Sequence, residues 1–236
     1  LKLHDGLLIQ ALLQPSLELV PVQSFPSHLS EQDKEHWQAQ VLNALQVGAA
    51  SALTHQQSPH AQAALAYALE NRQYLQIHPA LCVLYGRSAR HLEGVTRLKK
   101  IAQTTTGLLQ ESAIIGLGKT RQLQAFEVLN QMLTPSTDPS TQRVLLHAMG
   151  HLADRAAQKA NPLPGDAEIR AKVTDVMLRR IDTPVAQPHE TVALSSLLLV
   201  VLPNQLSMLE SQVTQPRALN VVKPAFSRIT RRHTRK

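Results

Sequence analysis

His147 and His151 stand four positions apart in an otherwise apolar stretch, with Asp154 three residues further on. On a helix, i and i+4 place two imidazoles on one face, as a metal ion requires of a ligand pair, and Asp154 would follow one turn later as a third donor. A hydrolytic zinc helix needs a carboxylate directly after its first histidine, and here that residue is Ala148, so the catalytic form of the motif is excluded. Two histidines on a wetted helix face is the plainer reading, and no metal is expected. Gly116-Leu117-Gly118-Lys119-Thr120 contains a Gly-Lys-Thr but lacks the upstream glycine of a phosphate loop, and it ends a helix instead of opening one. Cys82 is the single cysteine. It reads as a buried, inert thiol, with no partner for a disulfide and no adjacent base to make it a nucleophile. The carboxylates Glu111, Asp154 and Asp175 are scattered, and no Gly-x-Ser-x-Gly elbow occurs. These residues give no catalytic constellation, so the expectation is a non-enzymatic chain without a cofactor.

The elements that carry these residues follow from composition. Hydrophobic residues make up 43% of the 236 positions, enough for a sizeable core, yet Phe, Trp and Tyr together reach only 3%. An apolar fraction of Leu, Ala, Val and Ile suits closely packed helices better than a β-sandwich. No Asn-Gly or Asp-Gly pair sits between two alternating apolar runs to mark a tight hairpin, although Asp5-Gly6 occurs near the start. Apolar runs such as Leu197 to Leu202 are far below the about 18 residues that cross a bilayer. The segment from Leu1 lacks the basic start, apolar centre and cleavage site of a secretion signal. Without an initiator Met the chain is read as a processed product or a piece of a longer protein, and a cytoplasmic location is the working expectation.

Charge is unevenly distributed. Glu210 is the last acidic residue, and Arg217, Lys223, Arg228, Arg231, Arg232, Arg235 and Lys236 follow it. Those seven account for the whole formal charge of +7, since the other 17 Lys and Arg balance the 17 Asp and Glu. A pI near 9.9 therefore describes a tail and not the body of the protein. With little apolar patterning, the tail at 216–236 is expected to be mobile. A second basic stretch contains Arg87, Arg90, Arg97, Lys99, Lys100, Lys119 and Arg121, opposed along the chain only by Glu93 and Glu111.

Internal repetition sets the architecture. From about Ile77 onward the chain repeats an apolar helix, a short turn with a small and a charged residue, and a second apolar helix. The three turns read Tyr85-Gly86-Arg87-Ser88, Leu117-Gly118-Lys119-Thr120 and Leu152-Ala153-Asp154-Arg155, with Gly86 and Gly118 32 residues apart and Ala153 35 beyond. A degenerate fourth copy runs from Leu194 to Val213. Linkers such as Thr134 to Ser140 and Asn161 to Asp166 carry Pro and Asx residues that stop one helix and cap the next. The glycine or alanine at each turn either allows close helix approach or supplies a positive φ. In the first 76 residues, helices are expected over Leu3 to Leu13, Gln38 to Leu53 and His60 to Glu70, with Ser16 to Ser27 extended.

Ala148-Met149-Gly150-His151-Leu152-Ala153-Asp154 resembles the first-helix signature of HEAT repeats, especially those of phycobilisome-lyase-type proteins. Ala113 to Lys119 resembles it less well, with Lys119 where Asp would stand. The resemblance covers roughly residues 77–215. It implies an all-α solenoid, a right-handed stack of antiparallel helix pairs, with 1–76 as a helical cap; it does not imply lyase activity. Stacking serves such pairs because one pair has two apolar faces and cannot bury both.

The function expected is a protein–protein interaction scaffold. Aligning the turns places Arg87, Arg90, Lys119 and Arg121 along one rim, extended by Arg155, where an acidic protein segment would bind. A nucleic-acid binder using the rim and tail through phosphate contacts is the alternative. Sparse aromatics disfavour base stacking as its mechanism. HEAT-like glycosylases and chromophore lyases are the further alternative, but the single Trp37 lies outside the repeats.

Overall fold

The structure is a computed structural model that describes residues 2–19, 30–56, 58–89, 91–156 and 163–181. Among the described residues every regular element is helical: α1 (Lys2–Leu13), α2 (Glu31–Gln56), α3 (Pro59–Glu70), α4 (His78–Ser88), α5 (Leu92–Thr104), α6 (Gly107–Lys119), α7 (Leu123–Leu133), α8 (Pro139–Ala156) and α9 (Asp166–Ile181), with short 3-10 turns at Leu17–Leu19 and Arg72–Ile77. The fourth repeat copy and the basic tail lie outside the described residues, as does most of the stretch expected to be extended.

Polar punctuation starts the helices. Ser58 accepts the Ala61 N–H at 3.1 Å, with Pro59 in the first helical position. Asp138 accepts the Thr141 N–H at 2.7 Å ahead of Pro139, where proline loses no helical hydrogen bond. At α2, Ser30 accepts the Asp33 N–H at 3.2 Å and returns its hydroxyl to the Asp33 carboxylate at 2.6 Å. That reciprocal cap begins α2 seven residues before Gln38, where apolar periodicity alone would start it.

The helices from α4 onward pack in two rows. α6 lies between α4 and α8, while α5, α7 and α9 lie against that row and touch one another in order. This explains the character of α6: packed upon by α4, α5, α7 and α8, it is apolar around most of its circumference. α5 and α7 instead carry one apolar stripe each, the pattern of a helix with one wet face. At the other end, α2 and α3 pack on α4 and α1 packs on α2 and α3. The open carbonyls of α1 are closed by Gln46 Nε2, donating to the Leu12 carbonyl at 2.8 Å, and by the Tyr74 hydroxyl, donating to that of Leu13 at 2.9 Å. One hydrophobic cluster runs from Ala11 through Leu65, Leu81, Leu117 and Met149 to Met177. No described helix is long and apolar enough to cross a membrane.

Gly86 and Gly118 lie inside the last turns of α4 and α6, not in the loops that follow. A Cβ on Gly86 would come within 2.8 Å of Gly116 Cα, and one on Gly118 within 2.8 Å of Ala148 Cα. Both glycines are therefore close-approach residues that let backbone meet backbone along the α4–α6–α8 row. The positive φ in the second turn belongs to a different residue, Arg121, at 57°.

A candidate interaction edge at the ends of three helices

The glycine contacts determine where the cations go. Because Gly86 abuts Gly116, Arg87 at the end of α4 is carried beside α6. Because Gly118 abuts Ala148, Lys119 is carried beside the His147–His151 turn of α8. Arg155 follows in the last turn of α8. Each of these three cations stands at a helix C-terminus, where the partial negative charge of the open carbonyls favours it.

Arg87 is exposed, Lys119 and Arg155 are half-buried, and Asp154 between them is exposed. Among the described residues, neither Arg87 nor Lys119 makes a hydrogen bond or an ion pair with a carboxylate. Burial lowers the Lys119 ammonium from its ordinary value, Arg87 and Arg155 lower it further, and Asp154 opposes them. Lys119 thus sits in a site that disfavours positive charge, with Asp154 alone compensating it.

The two histidines belong to the same edge. Their rings meet edge to face with centroids 4.7 Å apart and planes at 72°, His147 exposed and His151 half-buried. Burial, with Lys119 and His147 adding to it, lowers His151 to about 4 against the opposing pull of Asp154. Among the described residues no group of three or more His, Cys, Asp or Glu side chains is placed to hold a metal, so Asp154 does not complete a ligand set around the pair.

Arg121 does not join the rim. Its guanidinium faces Asp166 at the start of α9, with Nε donating to Oδ1 at 3.0 Å and an Nη to Oδ2 at 2.5 Å. The two side chains are 10% and 11% exposed. Asp166 also accepts the Leu163 N–H at 2.7 Å. The expectation from aligned turns fails here because the left-handed backbone at Arg121 and a carboxylate 45 residues away turn the side chain toward α9. Arg90 lies outside the described residues. The rim read from the sequence therefore contracts to Arg87, Lys119 and Arg155, joined by the two histidines.

Arg97 is likewise engaged. It donates to Glu70 at 2.6 Å, to Glu93 at 2.6 Å and to the Tyr85 hydroxyl at 3.0 Å. Glu70 is invisible in a local charge count because it stands 27 residues upstream. These groups line a cleft of about 350 Å³ between α3, α4 and α5, walled by Tyr67 and Tyr85. Lys172 is held by Glu127 at 2.7 Å and Glu168 at 3.1 Å. Cys82 is fully buried, and burial pushes its thiol up to about 12, so no thiolate is available near neutral pH.

No family model and no curated protein matches the chain.

Proposed function

We propose that this chain is a HEAT-like α-solenoid that acts as a non-enzymatic scaffold, holding an acidic protein segment at the edge where α4, α6 and α8 end. The two-row packing of paired helices supports the architectural part. The functional part rests chiefly on Arg87 and Lys119, two cations gathered beside Arg155 that make no ion pair among the described residues, with the exposed Asp154 as the carboxylate that acts on Lys119 from a distance. An arriving carboxylate would relieve their mutual repulsion, and a surface of this kind also steers an acidic partner during encounter.

The test is a titration of a fluorescent aspartate-rich peptide at low salt against the parent and the Arg87→Glu, Lys119→Glu, Arg155→Glu variant, with circular dichroism to establish that both are folded. Binding should weaken by more than roughly tenfold in the variant, as expected for reversing charges at a complementary contact. A folded variant that binds as tightly as the parent would overturn the assignment. Replacing the peptide with a random-sequence DNA duplex addresses the phosphate-binding alternative, and tighter binding to the duplex would favour it.

A further inference from the structure

The edge contains a feature that a simple cationic patch does not need: two imidazoles in edge-to-face contact on the turn of α8 beside Lys119. The Gly118–Ala148 backbone contact brings this about, because Lys119 follows Gly118 directly and His147 and His151 flank Ala148 on one helical face. The charges acting on His151 are Lys119 from α6, Arg87 from α4, and His147 and Asp154 from its own helix. Burial acts ahead of all of them as the largest cause of its lowered value.

Resting on the reading above, we propose that the edge binds carboxylate-rich segments together with a proton, which His151 takes up as the acidic segment docks over Lys119 and Arg87. In the free protein a proton on half-buried His151 is disfavoured first by burial and then by the charges of Lys119 and Arg87. Carboxylates laid over Arg87 and Lys119 screen those cations and supply an acceptor for an imidazolium N–H, so the charged ring becomes the favoured form. The proton comes from solvent and stays on the ring until the segment leaves. Linkage then requires binding to tighten as pH falls.

Burial is the largest cause of the lowered value and docking does not remove it, so docking relieves only the part set by Lys119 and Arg87, and binding should tighten measurably, by at most about tenfold, between about pH 7.5 and about pH 5.5. An aspartate-rich peptide is a suitable probe because its carboxylates stay ionised across that range. Anisotropy titrations of the parent at both pH values should show this gain. His151→Gln should bind with the same affinity at both. Calorimetry of the parent at about pH 6, run in two buffers of different ionisation enthalpy, should show net proton uptake; this measurement stands even if the variant fails to fold. A parent whose affinity does not change with pH and that takes up no proton would overturn the coupling and leave the edge intact. A folded His151→Gln that keeps the full pH dependence would overturn the assignment to this ring. A parent that fails to bind the peptide at either pH would overturn the coupling and the edge together.

Discussion

Arg121 sets two effects of different size against each other. A non-glycine residue at φ 57° pays for the contact between its Cβ and backbone, a cost of about 1 kcal/mol that glycine would escape. Against this stands the forked pair with Asp166, whose side chains are 10% and 11% exposed. Removing one member of a pair so enclosed leaves the other charge stranded, at roughly 3–5 kcal/mol. The ion pair should dominate. Arg121→Gly is therefore expected to lower thermal stability despite the relief at φ, and Asp166→Ala should lower it at least as much. At about 2–4 °C per kcal/mol for a chain of this size, the melting temperature should drop by more than about 4 °C in Arg121→Gly, where the relief at φ offsets part of the loss, and by more than about 6 °C in Asp166→Ala. A rise in Arg121→Gly would mean that backbone strain outweighs the pair. The distinction between Arg121 and Lys119 was not legible in the chain. Both are basic residues at aligned turns, and only the three-dimensional approach of α9 separates an internal tie from an exposed cation.

Glycines in the helices divide by what surrounds them, and the same substitution should have opposite signs at different sites. At Gly86 and Gly118 a methyl group would be driven into the backbone of the adjacent helix, which cannot move without opening the α4–α6–α8 row. Gly86→Ala and Gly118→Ala should each cost about 1–3 kcal/mol or more. Gly48 stands on the exposed side of α2, and a Cβ added there would meet nothing within 4 Å. Gly48→Ala should stabilise by about 0.5–1 kcal/mol through backbone entropy alone. Thermal melts of the three variants check the contrast, and equal effects at all three sites would remove the close-approach role. The helix-pair periodicity from Ile77 onward was readable because α5 and α7 carry clean apolar stripes and Asp138-Pro139 marks the start of α8. The position of the glycines was not, because a glycine in a last helical turn and one in the loop after it look alike in a sequence. The early start of α2 was missed for a different reason: residues 31–37 are mostly polar, and the signal there is Ser30 with Asp33, a cap and not a stripe.

For the molecule as a whole, the histidine at the edge ties stability to pH, with a sign that can be worked out. Folding lowers His151 to about 4 from an ordinary 6.5. Between those values the unfolded chain therefore holds a proton that the folded protein does not, and stability rises with pH across that window. Acidification from about 6.5 to about 4 should progressively destabilise the fold, and below about 4 this residue adds no further loss because both states are protonated. Carboxylates take over at the acidic end. Burial tends to raise Asp166, but hydrogen bonds from Arg121 and the Leu163 N–H outweigh it and hold the group below its ordinary value. Hydrogen bonds from the Thr141 hydroxyl and N–H lower Asp138 as well. Stability contributed by these two is present above the ordinary carboxylate value of 3.8 and is lost as pH falls through their lowered values. The two regimes can be separated by substitution. Melting temperature measured from neutral to strongly acidic pH should decline in the parent in two stages. His151→Gln should flatten the first stage and leave the second, while Asp166→Asn should lower the whole curve near neutrality and shrink the second. If His151→Gln declines between pH 6.5 and about 4 as steeply as the parent, the proton that destabilises the fold binds elsewhere, and the half-buried ring between Lys119 and Asp154 is not its site.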